Sequence, residues 1–201
     1  LKTLSAYGLG GILADDMGLG KTIQILSLLL SEKSEDSLPS LVIAPTSLVY
    51  HWQDEARRFA PSLQVIVISG TQSERMEILK SLDSCDMAVT SYGLIKRDFE
   101  YYRDHSFQYC ILDEAQNIKN PNTLVAKTVK QLQASRRFAL TGTPMENSLT
   151  ELWSIFDYLM PGYLLNHNKF KSRYELPIIK NQQAEAMQDL KRHIQPFVLR
   201  R

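Results

Sequence analysis

Apolar residues in this chain come in short solid runs. Ile12-Leu13-Ala14, Leu41 to Ala44, Leu63 to Ile68, Met87 to Val89, Tyr109 to Leu112 and Phe138 to Leu140 are the main ones. Such runs, closed by Pro, Ser, Thr or Asp, read as strands buried on both faces. The intervening segments read as helices: Lys21 to about Lys33, Leu48 to about Phe59, Gln72 to Leu82 and Asn122 to Gln133. Ser47 is placed to cap the second of these. Strands that alternate with helices predict an α/β fold, a mostly parallel sheet covered by helices on both faces.

After Ser148 the pattern changes. Leu149 to Leu159 reads as a helix with Trp153, Phe156 and Leu159 on one core-facing stripe. Lys169 to Lys180 is basic and reads as irregular, and Gln182 to Ile194 as a polar amphipathic helix ended by Gln195-Pro196. Residues 1–160 are therefore expected to form the main α/β lobe, and 161–201 a helical, basic extension.

Composition adds bounds. A chain of 201 residues, 44% apolar and 22% charged, can bury one substantial core. No apolar run approaches the length of a membrane-spanning helix, so no membrane partner is expected. Cys85 and Cys110 adjoin apolar runs and read as reduced, buried thiols of an intracellular protein. That protein would be cytoplasmic or nucleoid-associated in a bacterium, and nuclear in a eukaryote. The four histidines lack ligand spacing. The opening Leu1 in place of Met reads as an excised fragment. Charge is uneven: residues 1–160 hold 15 Lys+Arg against 19 Asp+Glu, and residues 161–201 hold 8 against 3. The basic end fits an anionic partner, nucleic acid or an acidic protein face, or simply a solvated surface.

The chemistry is concentrated in two clusters. The first is Asp15-Asp-Met-Gly-Leu-Gly-Lys-Thr22, between the first strand and the first long helix. Strand, glycine loop and helix form the context of a phosphate-binding loop. Asp16, Met17, Gly18, Leu19 and Gly20 would present backbone N–H groups to a nucleotide such as ATP. Lys21 would reach its β- and γ-phosphates, and the Thr22 hydroxyl would bind Mg²⁺. One position departs from the general pattern, which opens with Gly where this chain has Asp15. The second cluster is Asp113-Glu114, delivered by the strand Tyr109 to Leu112. Asp113 is suited to hold Mg²⁺ opposite Thr22, and Glu114 to orient and deprotonate the attacking water.

These stretches resemble, in order, the motifs of the Swi/Snf family of DNA-dependent ATPases in helicase superfamily two. Residues 15–24 look like its first motif, in which Asp commonly opens the loop. Ile43 to Trp52 resembles motif Ia, and Val89 to Leu94 resembles motif Ib. Asp113 to Asn120 resembles the DEAD/H-type box, and Leu140 to Leu149 resembles motif III. Gln195 to Arg201 resembles the hand-over to a second lobe.

The resemblance implies a RecA-like, P-loop NTPase lobe. It implies that Lys21, Asp113, Glu114 and Gln116 serve hydrolysis. Gln116 with Thr141, Gly142 and Thr143 would couple the nucleotide to DNA grip. Pro45, Thr46, Ser47, Gly70, Thr71, Ser91, Tyr92 and Gly93 would face the DNA backbone. It also implies a second RecA-like lobe of the same full-length protein and an upstream adenine-reading motif, both beyond these residues. The expected partner is double-stranded DNA, held without reading its sequence, and the lobe alone should hydrolyse ATP negligibly. Two other readings are an RNA helicase lobe of the same superfamily and a non-catalytic binding module.

Overall fold

A computed structural model describes residues 1–16, 18–142 and 148–200. Each apolar run becomes a strand: β1 (Gly11–Leu13), β2 (Ser40–Ala44), β3 (Val65–Val67), β4 (Met87–Ser91), β5 (Ser106–Leu112) and β6 (Gln133–Leu140). A seventh strand, β7 (Val198–Leu199), follows the last helix. They form one sheet in the order β3-β4-β2-β5-β6-β1-β7, and every neighbouring pair is parallel.

Side chains along a strand alternate between faces, which divides the core in two. Leu13, Val42, Ala44, Tyr109, Ile111, Phe138 and Leu140 pack on one face against α2 (Lys21–Ser31) and α3 (Val49–Phe59). Ile12, Leu41, Ile43, Cys110, Leu112 and Ala139 point to the other. There they meet α4 (Gln72–Leu79), α5 (Tyr92–Arg97), α6 (Phe99–Tyr102), α7 (Leu124–Gln131) and α8 (Leu149–Leu159). Both cysteines are buried and free. Among the described residues no helix is long and apolar enough to cross a membrane.

Beyond α5 and α6, for which the sequence pattern assigned no helix, the structure departs from the sequence reading in four places. The approach to β1 holds a short helix, α1 (Lys2–Ala6). Ser47 caps nothing: it lies within a 3₁₀ turn, Thr46–Leu48, and α3 starts without a side-chain cap. Residues 169–180 are helical, as α9 (His167–Phe170), a π-helical turn (Lys171–Glu175) and α10 (Leu176–Asn181). The buried Phe170 and Tyr174 hold this stretch on the core beside Leu190 of α11 (Ala184–Ile194). Finally, β7 returns the chain to the sheet, pairing Ile12 with Val198 and Leu13 with Leu199.

One ion pair fixes the far side of the sheet. Arg75 and Asp98 are 1% and 2% exposed. Arg75 Nε donates to Asp98 Oδ2 at 2.5 Å, its Nη2 to Oδ1 at 2.9 Å and its Nη1 to the Gly70 carbonyl at 2.7 Å. This bidentate pair ties α4 to the turn between α5 and α6 and holds the chain before Thr71. Removing one partner strands the other's charge in the interior. Asp98→Ala is therefore expected to lower the unfolding free energy by about 3–5 kcal/mol in urea titration. Replacing both residues by apolar ones of similar volume should recover much of that loss. A loss below about 1 kcal/mol for Asp98→Ala would contradict this role.

Candidate active site

Because every strand runs the same way, every strand-to-helix loop leaves from one edge of the sheet. Across that edge the loops fall into two adjoining halves. Ser69 to Thr71, Ser91 to Gly93 and Pro45 to Ser47 lie at the ends of β3, β4 and β2, which are neighbours. Asp113-Glu114, Thr141-Gly142 and the glycine loop follow β5, β6 and β1, which are also neighbours. The three expected DNA-facing segments thus sit together, and so do the three expected nucleotide-facing ones.

The glycine loop is built for close backbone approach. Gly18 and Gly20 adopt φ of 85° and 71°, a region that L side chains rarely enter. Gly20 is the N-cap of α2, an 11-residue helix, and brings no capping side chain to it. That is the arrangement in which a helix N-terminus receives a phosphate. Lys21 folds over the loop, donating from Nζ to the carbonyls of Asp15 (2.7 Å) and Asp16 (3.2 Å). Asp15 is fully buried and accepts from Gln24 Nε2 at 3.1 Å, which ties the start of the loop to the first turn of α2. Asp16, Gly18 and Leu19 are exposed, and Gly20, Lys21 and Thr22 half-buried. Met17 lies outside the described residues.

The acidic pair stands two strands away, roughly 10 Å by sheet spacing. It is near enough for the Lys21 charge to act on Asp113. Asp113 is 8% exposed. Its Oδ2 accepts from Trp52 Nε1 at 2.9 Å, and its Oδ1 accepts from the Glu114 N–H at 2.9 Å. Burial pushes its carboxyl above the ordinary aspartate value. The Trp52 hydrogen bond opposes that shift, the Glu114 charge adds to it, and the Glu114 N–H and Lys21 oppose it. An ionised Asp113 is therefore costly here, and a bound cation would offset the cost. Glu114 has φ 49°, a left-handed conformation uncommon for a non-glycine residue. Such strain persists where the surroundings dictate the backbone.

A relay of polar contacts spans the gap. Gln116 Nε2 donates to Glu114 Oε2 at 2.6 Å, and Thr141 Oγ1 donates to Gln116 Oε1 at 3.2 Å. The Thr141 N–H donates to the Leu13 carbonyl at 3.1 Å, on the strand that enters the glycine loop. Gly142 adjoins Thr141, and Thr143 lies outside the described residues.

The expected DNA-facing residues differ in exposure. Thr46, Ser47, Gly70, Thr71 and Gly93 are exposed and Pro45 is half-buried. Ser91 and Tyr92, however, are turned inward. Ser91 is 3% exposed and spends its hydroxyl accepting from the Leu94 N–H as the cap of α5. Tyr92 is 7% exposed, and its hydroxyl donates to the Asp113 carbonyl at 2.7 Å. Burial holds that phenol well above its ordinary pKa, so it remains a donor. Thr71 also serves α4, in a reciprocal capping box with Glu74. Sequence reasoning assigned no site role to Trp52, Asp15 or Gln24. Each nevertheless lies in a stretch that the resemblance marked, Asp15 and Gln24 in residues 15–24 and Trp52 at the end of Ile43 to Trp52.

The family model described as SNF2-related domain matches residues 1–201. The chain is 40% identical to the TATA-binding protein-associated factor MOT1 of Saccharomyces cerevisiae, over all of this chain and 12% of that protein. It is 43% identical to the putative ATP-dependent helicase/translocase YwqA of Bacillus subtilis, over 98% of this chain and 22% of that protein. Among solved structures, the Sulfolobus solfataricus SWI2/SNF2 ATPase core in complex with dsDNA superposes with a TM-score of 0.92 at 42% identity. That match covers all of this chain and 42% of the other. The chain thus spans well under two thirds of each of these relatives. With the family model matched from end to end, it belongs to the SNF2-related domain family.

Proposed function

We propose that this chain is the first motor lobe of an ATP-driven translocase that moves along double-stranded DNA. One observation carries the reading above all others. The glycine loop with Lys21 and the Asp113-Glu114 pair flank one strand at a common edge, with Thr141 and Gln116 linking them. A triphosphate seated on the α2 N-terminus would meet Lys21 on one side and the acidic pair on the other.

The donor set fits ATP with Mg²⁺. The site offers a hydroxyl at Thr22 and a carboxylate at Asp113, whose ionised form is penalised by burial. Bound there, Mg²⁺ would neutralise phosphate charge. Lys21 would leave the carbonyls of Asp15 and Asp16 for phosphate oxygens. Glu114, held by Gln116, would take the proton of the attacking water. Thr141 and Gln116 would report on the γ-phosphate, because any motion of Glu114 reaches β6 through them.

The other half of the edge would face the duplex. Thr46, Ser47, Gly70, Thr71 and Gly93 offer hydroxyls and backbone groups, with little charge and no base-reading side chain. That suits a hold on phosphates that ignores sequence. The bound duplex of the Sulfolobus solfataricus core supports double-stranded DNA as the partner. A second RecA-like lobe of the same protein would close over the nucleotide, and residues 161–201, packed on this lobe, would lead to it.

In a two-lobe protein containing this chain, duplex DNA is expected to raise the ATPase rate. Lys21→Ala and Glu114→Gln should each abolish turnover in a coupled-enzyme assay. Glu114→Gln should still bind ATP, whereas Lys21→Ala should not. No response to duplex DNA, or a stronger response to single-stranded RNA, would count against the proposal.

The separate lobe, residues 1–201, gives a further test. Without the arginine that a second lobe would supply, its turnover is expected to fall by about 10³–10⁵-fold relative to the two-lobe protein. Comparable single-turnover rates for the two would contradict this.

A further inference from the structure

We propose that Trp52 and Tyr92 are positioning residues that carry DNA contact to the metal-side aspartate, Asp113; this inference rests on the function proposed above. Asp113 follows β5, the strand where the nucleotide-facing half of the edge adjoins β2 of the DNA-facing half. Two aromatic side chains reach it across that boundary. Trp52 Nε1 donates to the carboxylate at 2.9 Å, and the Tyr92 hydroxyl donates to the main-chain carbonyl at 2.7 Å. They arrive from opposite faces of the sheet, Trp52 within the core layer beneath α2 and α3, Tyr92 within the other.

Each ring sits beside a segment proposed to touch DNA. Tyr92 immediately precedes the exposed Gly93. Trp52 lies on α3, whose approach is the Pro45 to Ser47 loop. The same helix carries Tyr50, which is 57% exposed. Its hydroxyl meets that of Ser69 at 2.8 Å, next to Gly70 and Thr71. Two of the three DNA-facing loops therefore bear on α3, and the third bears on α5.

Packing alone does not ask for this convergence. A buried indole N–H needs an acceptor, and a buried phenol needs a partner, but a main-chain carbonyl on any neighbouring strand would serve. Here both donors settle on one residue. Trp52 fixes the rotation of the Asp113 side chain, while Tyr92 fixes the peptide that joins it to Glu114. Glu114 is already held at φ 49°, so a small shift of that peptide re-aims its carboxylate. A close-packed interior passes a displacement of α3 or α5 on to Asp113 rather than absorbing it.

The test uses a two-lobe protein containing this chain, with Trp52→Phe, Tyr92→Phe and the double variant. Each change deletes one donor and keeps a ring. ATPase kcat and KM for ATP are measured with and without saturating duplex DNA, and the readout is the ratio of the two kcat values. Each single variant is expected to lower that ratio at least about fivefold, since losing one hydrogen bond to a charged or strained group shifts an equilibrium by roughly tenfold. The double variant should respond to DNA scarcely at all. Residues that merely support the fold would lower both rates in proportion. An unchanged ratio, whether both rates fall together or neither does, would overturn the inference. Should Trp52→Phe fold poorly, Tyr92→Phe decides alone, because its ring stays in the same core. A parent protein that ignores duplex DNA would instead overturn the translocase reading, and this inference with it.

Discussion

The structure depends on the parallel pairing of three strands, β1, β6 and β5. Leu13 pairs with Leu140, and Leu112 with Ala139, so the three strands end almost level. The ladder then runs one step beyond each strand. The N–H groups of Ala14, Thr141 and Asp113 donate to the carbonyls of Leu199, Leu13 and Ile43. The first residue of each chemically important loop is thereby pinned by its neighbouring strand. The loops need no long-range side-chain contact to find one another, because the backbone has already brought them to a common edge.

Electrostatics then gives that edge its character. A lysine folded onto two carbonyls and an aspartate penalised by burial stand on either side of one strand. Neither is in its preferred partnership. A triphosphate with its cation would satisfy both, drawing Lys21 to phosphate and relieving the desolvated carboxylate. The left-handed backbone at Glu114 belongs to the same arrangement, a strained conformer held by Gln116 and by its bond to Asp113.

Much of this was legible in the sequence, for local reasons. Solid apolar runs announced the parallel sheet, and glycine loop plus acid pair marked the two clusters that the sheet brings to one edge, because each is contiguous along the chain. What escaped depends on contacts far apart in sequence. Trp52 stands in the sequence only as the end of the stretch resembling motif Ia, and folding alone shows that its N–H meets Asp113, 61 positions away. Tyr92 was expected to face the DNA backbone only because its stretch resembles motif Ib, and its inward hydroxyl shows only in the fold. The strand at Val198 is two residues long and exists only because β1 offers an unpaired edge. Residues 169–180 hid their helices for another reason. The π-turn breaks the 3.6-residue period, lysines interrupt the apolar stripe, and Pro177 falls harmlessly at the start of α10.

The central claim is that the glycine loop and the acidic pair share one cation-bound triphosphate. Crystals grown with Mn²⁺ and a non-hydrolysable ATP analogue would test it by anomalous scattering. The account places the manganese peak between Thr22 and Asp113, with the γ-phosphate beside Lys21. A peak elsewhere on the lobe, or a nucleotide bound away from α2, would contradict it.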